Sequence, residues 1–265
     1  MLSLGRFALG LGAIVAVLSA MGVGARALRV NVLPSWSGPP AWLADITISL
    51  SVLITVAEVL GAAHQFRAVA VLAAELAAAA ALWLVAQRVT SGGSEASTRP
   101  VRLPRSEVVA AVAGVAIVVL QWATHVGYAV SRGMTYSDTM WYHQPFAARF
   151  VQHHSFDVLD GVGLEAARLY PLSSPLLHAL GMLAFGRDVL SPFVNLGWMA
   201  LCLLAAWCIG RRFGVPHVCL LGAAVAIGLP ILTATQPGQA SSDIGAMALF
   251  LTAIALLLES GLRLP

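Results

Sequence analysis

Long apolar runs separated by short polar stretches organise this chain. A helix that crosses a bilayer needs about 20 mostly apolar residues. Seven segments meet that length: Phe7–Ala25, Trp42–Ala62, Ala68–Gln87, Val108–Ser131, Val189–Gly210, Pro216–Thr235 and Ser242–Ser260. The first could also be read as a signal peptide, but its single preceding Arg makes a weak basic leader. The polar stretch "VTSGGSEASTRPVRLPR" (89–105) reads as a flexible linker. It divides a leading three-helix segment, 1–88, from a larger membrane region, 106–265, that contains one long loop, 132–188. The expected fold is therefore an all-α integral membrane protein of about seven transmembrane helices.

Composition agrees with lipid as the solvent. Of the 265 residues, 59% are hydrophobic and 10% charged, against about 25% charged in soluble domains. Cys202, Cys208 and Cys219 lie inside apolar runs without CxxC spacing, so they read as small hydrophobes rather than a disulfide or zinc framework. There is no GxGxxG, Walker loop or HExxH, and nothing suggests a nucleotide or nucleic-acid partner.

All fifteen basic residues are Arg, and their placement predicts an orientation. With the N-terminus outside, nine of them (Arg26, Arg29, Arg88, Arg99, Arg102, Arg105, Arg211, Arg212 and Arg263) fall on the cytoplasmic side. The opposite orientation places those nine outside, against the positive-inside bias. The 132–188 loop is then external, at the cell (plasma or inner) membrane.

That loop is not simply polar. In "PFAARFVQ", Phe146, Phe150 and Val151 share one helical face, with Arg149 and Gln152 on another, and Pro145 suits a first helical turn. In "SSPLLHALGMLAFG", Ser174 is the expected cap, and Leu176, Leu177, Leu180 and Leu183 form an apolar stripe. Both read as amphipathic helices lying flat at the membrane surface. Trp141, Tyr142 and Tyr170 suit the headgroup level.

Most of the chemistry-bearing residues gather in "GMTYSDTMWYHQPFAARFVQHH" (133–154). Asp138 by itself reads first as a helix cap. His143, His153 and His154 lack the i, i+4 spacing of metal ligands and read as interfacial histidines. Asp243, in "QASSDIGAMALF", opens the last span at the same external face. By itself it is an acid favoured by the helix macrodipole. Glu58 and Glu75 lie within spans two and three, where charge is costly and usually paired or functional. The hairpin of the leading helices would let the two share a proton, and structural pairing between helices and a functional role are equally open.

The run "SDTMWYHQPFAARF", the loop of two flat helices and the later Asp-led span together resemble the N-terminal half of a GT-C membrane glycosyltransferase. Relatives include protein O-mannosyltransferases, aminoarabinose transferases of lipid A and actinobacterial cell-wall sugar transferases. The resemblance covers about 106–265. It departs from the family in placing three spans before the loop and in ending at Pro265, where members usually continue. The chain is accordingly expected to be an N-terminal part, one piece of a split enzyme, or a non-catalytic relative.

The resemblance implies transfer of a sugar from a polyprenyl-phosphate carrier to a hydroxyl acceptor on the extracytoplasmic face. Asp138 matches the family's first acid and implies a general base. Asp243 matches the second and implies a substrate-binding group. Arg149 and Arg168, assisted by Tyr142, His143 or His154, are the candidates to hold the leaving phosphate. Some members use a divalent cation and others do not; where one is used, Asp138 and Asp243 would share it. The alternatives are a non-catalytic assembly subunit and a transporter-like lipid-binding protein with Glu58 and Glu75 as a proton relay.

Overall fold

The computed structural model describes residues 2–89, 105–156 and 172–261. Among these residues the regular structure is all helical. The order is α1 (Leu4–Val32), α2 (Pro39–Ala62), α3 (Ala68–Arg88), α4 (Arg105–Arg132), a π-helical turn (Thr139–His143), α5 (Gln144–His153) and α6 (Ser173–Phe185). α7 (Ser191–Arg212), α8 (Pro216–Ile227), α9 (Pro230–Thr235) and α10 (Asp243–Glu259) follow. Helices satisfy every backbone polar group within one segment, which is what an apolar solvent demands. The chain is thus of all-α membrane type.

Five helices, α1 to α4 and α7, are long and apolar enough to cross a membrane. The expected continuous span Pro216–Thr235 is instead broken. Pro230 has no N–H to give the helix, and its ring opposes the carbonyl four residues back, so α8 stops at Ile227 and α9 starts afresh. In place of the expected last span, α10 is 17 residues long. α1 is longer than expected at 29 residues: Arg26 and Arg29 ride on its final turns instead of following it.

The described residues fall into two compact units. In the first, α3 packs along α1 in the same direction. A Cβ on Gly24 would stand 2.7 Å from the Ala79 carbonyl oxygen, so Gly24 lets the two backbones touch, as small residues do in membranes. One end of this pair is tied by Asn31, whose Nδ2 donates to the Ala86 carbonyl at 2.9 Å. Arg29 also lies there, with its Nε 2.7 Å from Asp45 Oδ1.

At the other end, Phe7 stacks on Phe185 of α6 with ring centroids 5.5 Å apart. The Arg6 guanidinium lies against Gly186, whose φ of +66° terminates α6. Arg6 therefore meets the carbonyl end of α6, where the helix dipole favours a cation. A cluster of Ala57, Phe66, Val71, Phe146, Phe150 and Leu176 joins α2, α3, α5 and α6 at this end.

The second unit contains α4 and α7 to α10 with the start of α2. α4 and the broken pair α8–α9 run side by side in one direction. His217 meets Glu107 where both begin, Gly114 abuts Leu221, and Gly238 abuts His125 and Ala129. The indole of Trp122 donates to the Ile227 carbonyl at 3.4 Å. That carbonyl lies at the break, so a neighbouring helix supplies the donor that the interrupted ladder lacks.

Candidate functional site

Asp138 leads into helix without a stop. Its backbone is right-handed helical (φ −65°, ψ −37°), and its side chain makes no capping hydrogen bond. The capping role that the sequence first suggests for it is not played. After it the ladder widens, with the Gln144 N–H donating to the Thr139 carbonyl in the five-residue spacing of a π turn. Pro145, which has no N–H, sits where the spacing changes. Such turns often mark functional positions. This one directs Thr139 and His143 into the protein and leaves Met140 and Trp141 56% and 62% exposed. An apolar outward face beside a carboxylate suits a lipid surface.

The other sequence candidates divide by environment. Tyr142 stacks on His143 at 4.3 Å between centroids, and Tyr142 packs against the cluster of the first unit. His143 is buried, so its ring is part of the packing around the π turn. His154 closes α5 in a left-handed conformation, φ +59°, and its carbonyl accepts from the Phe66 N–H at 3.0 Å. Its backbone thus links α5 to the α2–α3 turn. Arg149 is half-buried on α5. Phe146 and Phe150 form the buried face, with Val151 beside them. Arg168 and Tyr170 lie outside the described residues, as does linker 90–104.

α6 differs in detail from the expectation. It begins at Ser173 after Leu172, without a side-chain cap, so Ser174 is an ordinary first-turn residue. Its buried positions include His178 as well as Leu176 and Ala179. His178 is 0% exposed, and neither ring nitrogen has a hydrogen-bond partner among the described residues. Burial, with His143 adding like-charge repulsion, pushes its pKa from 6.5 down to about 3. Nothing in the sequence singles out His178, because its partners are set by tertiary packing. The same holds for Asp188, which accepts from Gln144 Nε2 at 3.0 Å and from the Ser191 N–H at 3.3 Å.

In the second unit, Asp243 is exposed at the start of α10. Its Oδ2 accepts from Gln236 Nε2 at 2.8 Å. Gln236 Oε1 in turn accepts the Ile244 N–H at 3.2 Å. Asn195 Nδ2, on α7, reaches the carbonyls of Gln236, Gln239 and Ser241 at 2.8, 3.1 and 3.0 Å. Lone amides in apolar surroundings were the available signal for Asn195 and Gln236.

Glu58 and Glu75 are not paired with each other. Glu58 is exposed on α2. Glu75 is 1% exposed, and its carboxyl oxygens have no partner among the described residues. Cys202 and Cys208 are buried free thiols, and Cys219 is half-buried. No three His, Cys, Asp or Glu among the described residues cluster to hold a metal ion. No protein-family model, curated protein or solved structure matches this chain.

Proposed function

We propose that this protein is a GT-C-type glycosyltransferase, or the N-terminal part of one, moving a sugar from a polyprenyl-phosphate carrier to a hydroxyl on the extracytoplasmic face. The observation that carries this reading is Asp138 itself. It is a half-buried carboxylate without a capping bond, heading an aromatic turn that exposes Trp141 and Met140. A polyprenyl tail favours lipid, while its phosphate and sugar favour the interface, so the reacting atoms lie where such a turn belongs.

The membrane arrangement fits seven crossings. α8 and α9 together track α4 from the Glu107–His217 contact to Gly238 beside Ala129. That length of α4 is about 33 Å at 1.5 Å per residue, close to the roughly 30 Å hydrocarbon thickness. The broken pair then crosses as one unit, and α10 completes the count.

In the reaction, Asp138 accepts the proton of the acceptor hydroxyl as its oxygen bonds to the anomeric carbon. The bond from that carbon to the phosphate oxygen breaks, and polyprenyl phosphate leaves with the electron pair. Arg149 and Arg168 offer it paired hydrogen bonds and positive charge.

The test is transfer of label from synthetic polyprenyl-phosphate hexose or pentose to a cell-envelope fraction by the native protein, purified with whatever co-purifies. Labelled acceptor and released polyprenyl phosphate are expected, and absence of both with every donor refutes the reading. A second reading, a proton-coupled transporter, draws on the sealed, unpartnered Glu75. It requires pH-driven uptake into proteoliposomes that Glu75→Gln abolishes.

A further inference from the structure

We infer that the π turn is an insertion point into the bilayer, with Met140 and Trp141 seated among lipid at the headgroup boundary while α5 and α6 keep their apolar faces for the protein. This concerns the membrane alone and holds whether or not sugar is transferred.

The first observation is where the apolar surface goes. Among the described residues of the 132–188 loop, Met140 and Trp141 are the large apolar side chains left exposed, at 56% and 62%. A helix lying flat on a membrane keeps one apolar face free for lipid. α5 does not: Phe146, Ala147 and Phe150 are buried, and its exposed positions are Gln152 and His153. α6 has no exposed residue at all, and Leu180, Met182 and Leu183 pack against the cluster of the first unit. The π turn divides its side chains differently. Thr139 and His143 are buried and Tyr142 packs on the same cluster. The two bulky apolar side chains between them are therefore sent the other way.

The second observation is the level at which they emerge. The cluster that holds Tyr142 includes Ala57, five residues before the end of α2, and Val71, the fourth residue of α3. The turn thus sits within about 5–8 Å of the helix ends at 1.5 Å per residue. Val59 and Val69 lie at that level too, 62% and 81% exposed, on helices long and apolar enough to cross a membrane. Exposed valines on such helices face lipid, so Met140 and Trp141 continue a lipid-facing surface at its boundary. Tryptophan favours this boundary, where its ring meets acyl chains and its N–H meets headgroups. Asp138, half-buried two residues before Met140, is carried to the same depth by the chain itself.

The test uses the native chain in nanodiscs whose phospholipids carry bromine on the acyl chains near the headgroup. Cys202 and Cys208 are buried, so Cys219 is replaced and Met140→Cys and Gln152→Cys are labelled separately with an environment-sensitive fluorophore. Both substitutions fall on exposed side chains, where folding is usually kept. The label at position 140 should emit to the blue of that at 152. Bromine should about halve its emission, as expected for a group buried in the interface, and leave the label at 152 unchanged. A second measurement needs no label: bromine should quench the part of the tryptophan emission that Trp141→Phe removes. An unquenched label at 140, or a Trp141 emission untouched by bromine, overturns the inference, whether the turn then faces water or a protein partner. Quenching at 152 as strong as at 140 overturns it too, since α5 would then lie in lipid as well.

Discussion

His178 offers a quantitative test of the packing that holds the loop helices to the leading helices. Its imidazole is fully buried, and neither nitrogen finds a partner among the described residues. Charging it in place means burying an unpaired cation with His143 nearby, which is why its pKa falls to about 3. When α6 detaches into water the group returns to its ordinary value of 6.5. Between those two values the unfolded form binds a proton that the folded form refuses. Stability is therefore full above about pH 6.5 and declines as the pH falls, by about 1.4 kcal/mol per unit. Lowering the pH from 6.5 to 5 costs about 2 kcal/mol from this group alone.

His178→Leu removes both the titration and the two orphaned nitrogens. Because unsatisfied buried polar atoms cost about 1–3 kcal/mol each, the variant should equal or exceed wild type in stability at pH 7. Its advantage should then widen by about 2 kcal/mol at pH 5. Thermal unfolding of both proteins in detergent at a series of pH values measures this. Other acid-sensitive groups affect both proteins equally and cancel in the difference. Parallel stability profiles from pH 7 to pH 5 would show that His178 is hydrated or paired, and would refute the reasoning.

Gly24→Leu should destabilise the protein by about 1–3 kcal/mol, because a side chain there meets the Ala79 backbone; an unchanged detergent melt would contradict the α1–α3 packing. On a background with Cys219 replaced, an impermeant thiol reagent should label Gln152→Cys in intact cells and spare Ser260→Cys. Labelling of the second position and not the first would invert the topology. Glu58→Gln should leave the unfolding midpoint within about 0.5 kcal/mol of wild type, as exposed substitutions usually do; a larger loss would mean that Glu58 is paired after all.

Much of the fold was legible because its signals are local. Apolar length marked α1 to α4 and α7, and Pro145 marked the start of α5. The break at Pro230 is masked by apolar composition that continues smoothly through it, although proline carries its own warning. The site was legible only in part. Asp138 stood out as an acid heading an aromatic run, but the π turn that presents it depends on hydrogen-bond register, which composition does not encode. Asn195 and Gln236 are separated by 41 positions, and nothing short-range connects them. His143, one of the candidates to assist at the phosphate, is buried, turned inward by the π turn.

The central claim stands or falls on Asp138. Asp138→Asn preserves size and removes the charge, and with no capping bond at stake the fold should survive. Transfer from synthetic polyprenyl-phosphate sugar, measured for wild type and variant at matched folded protein, should fall by about 10²–10⁴. A well-folded Asp138→Asn protein transferring sugar at the wild-type rate would contradict the account.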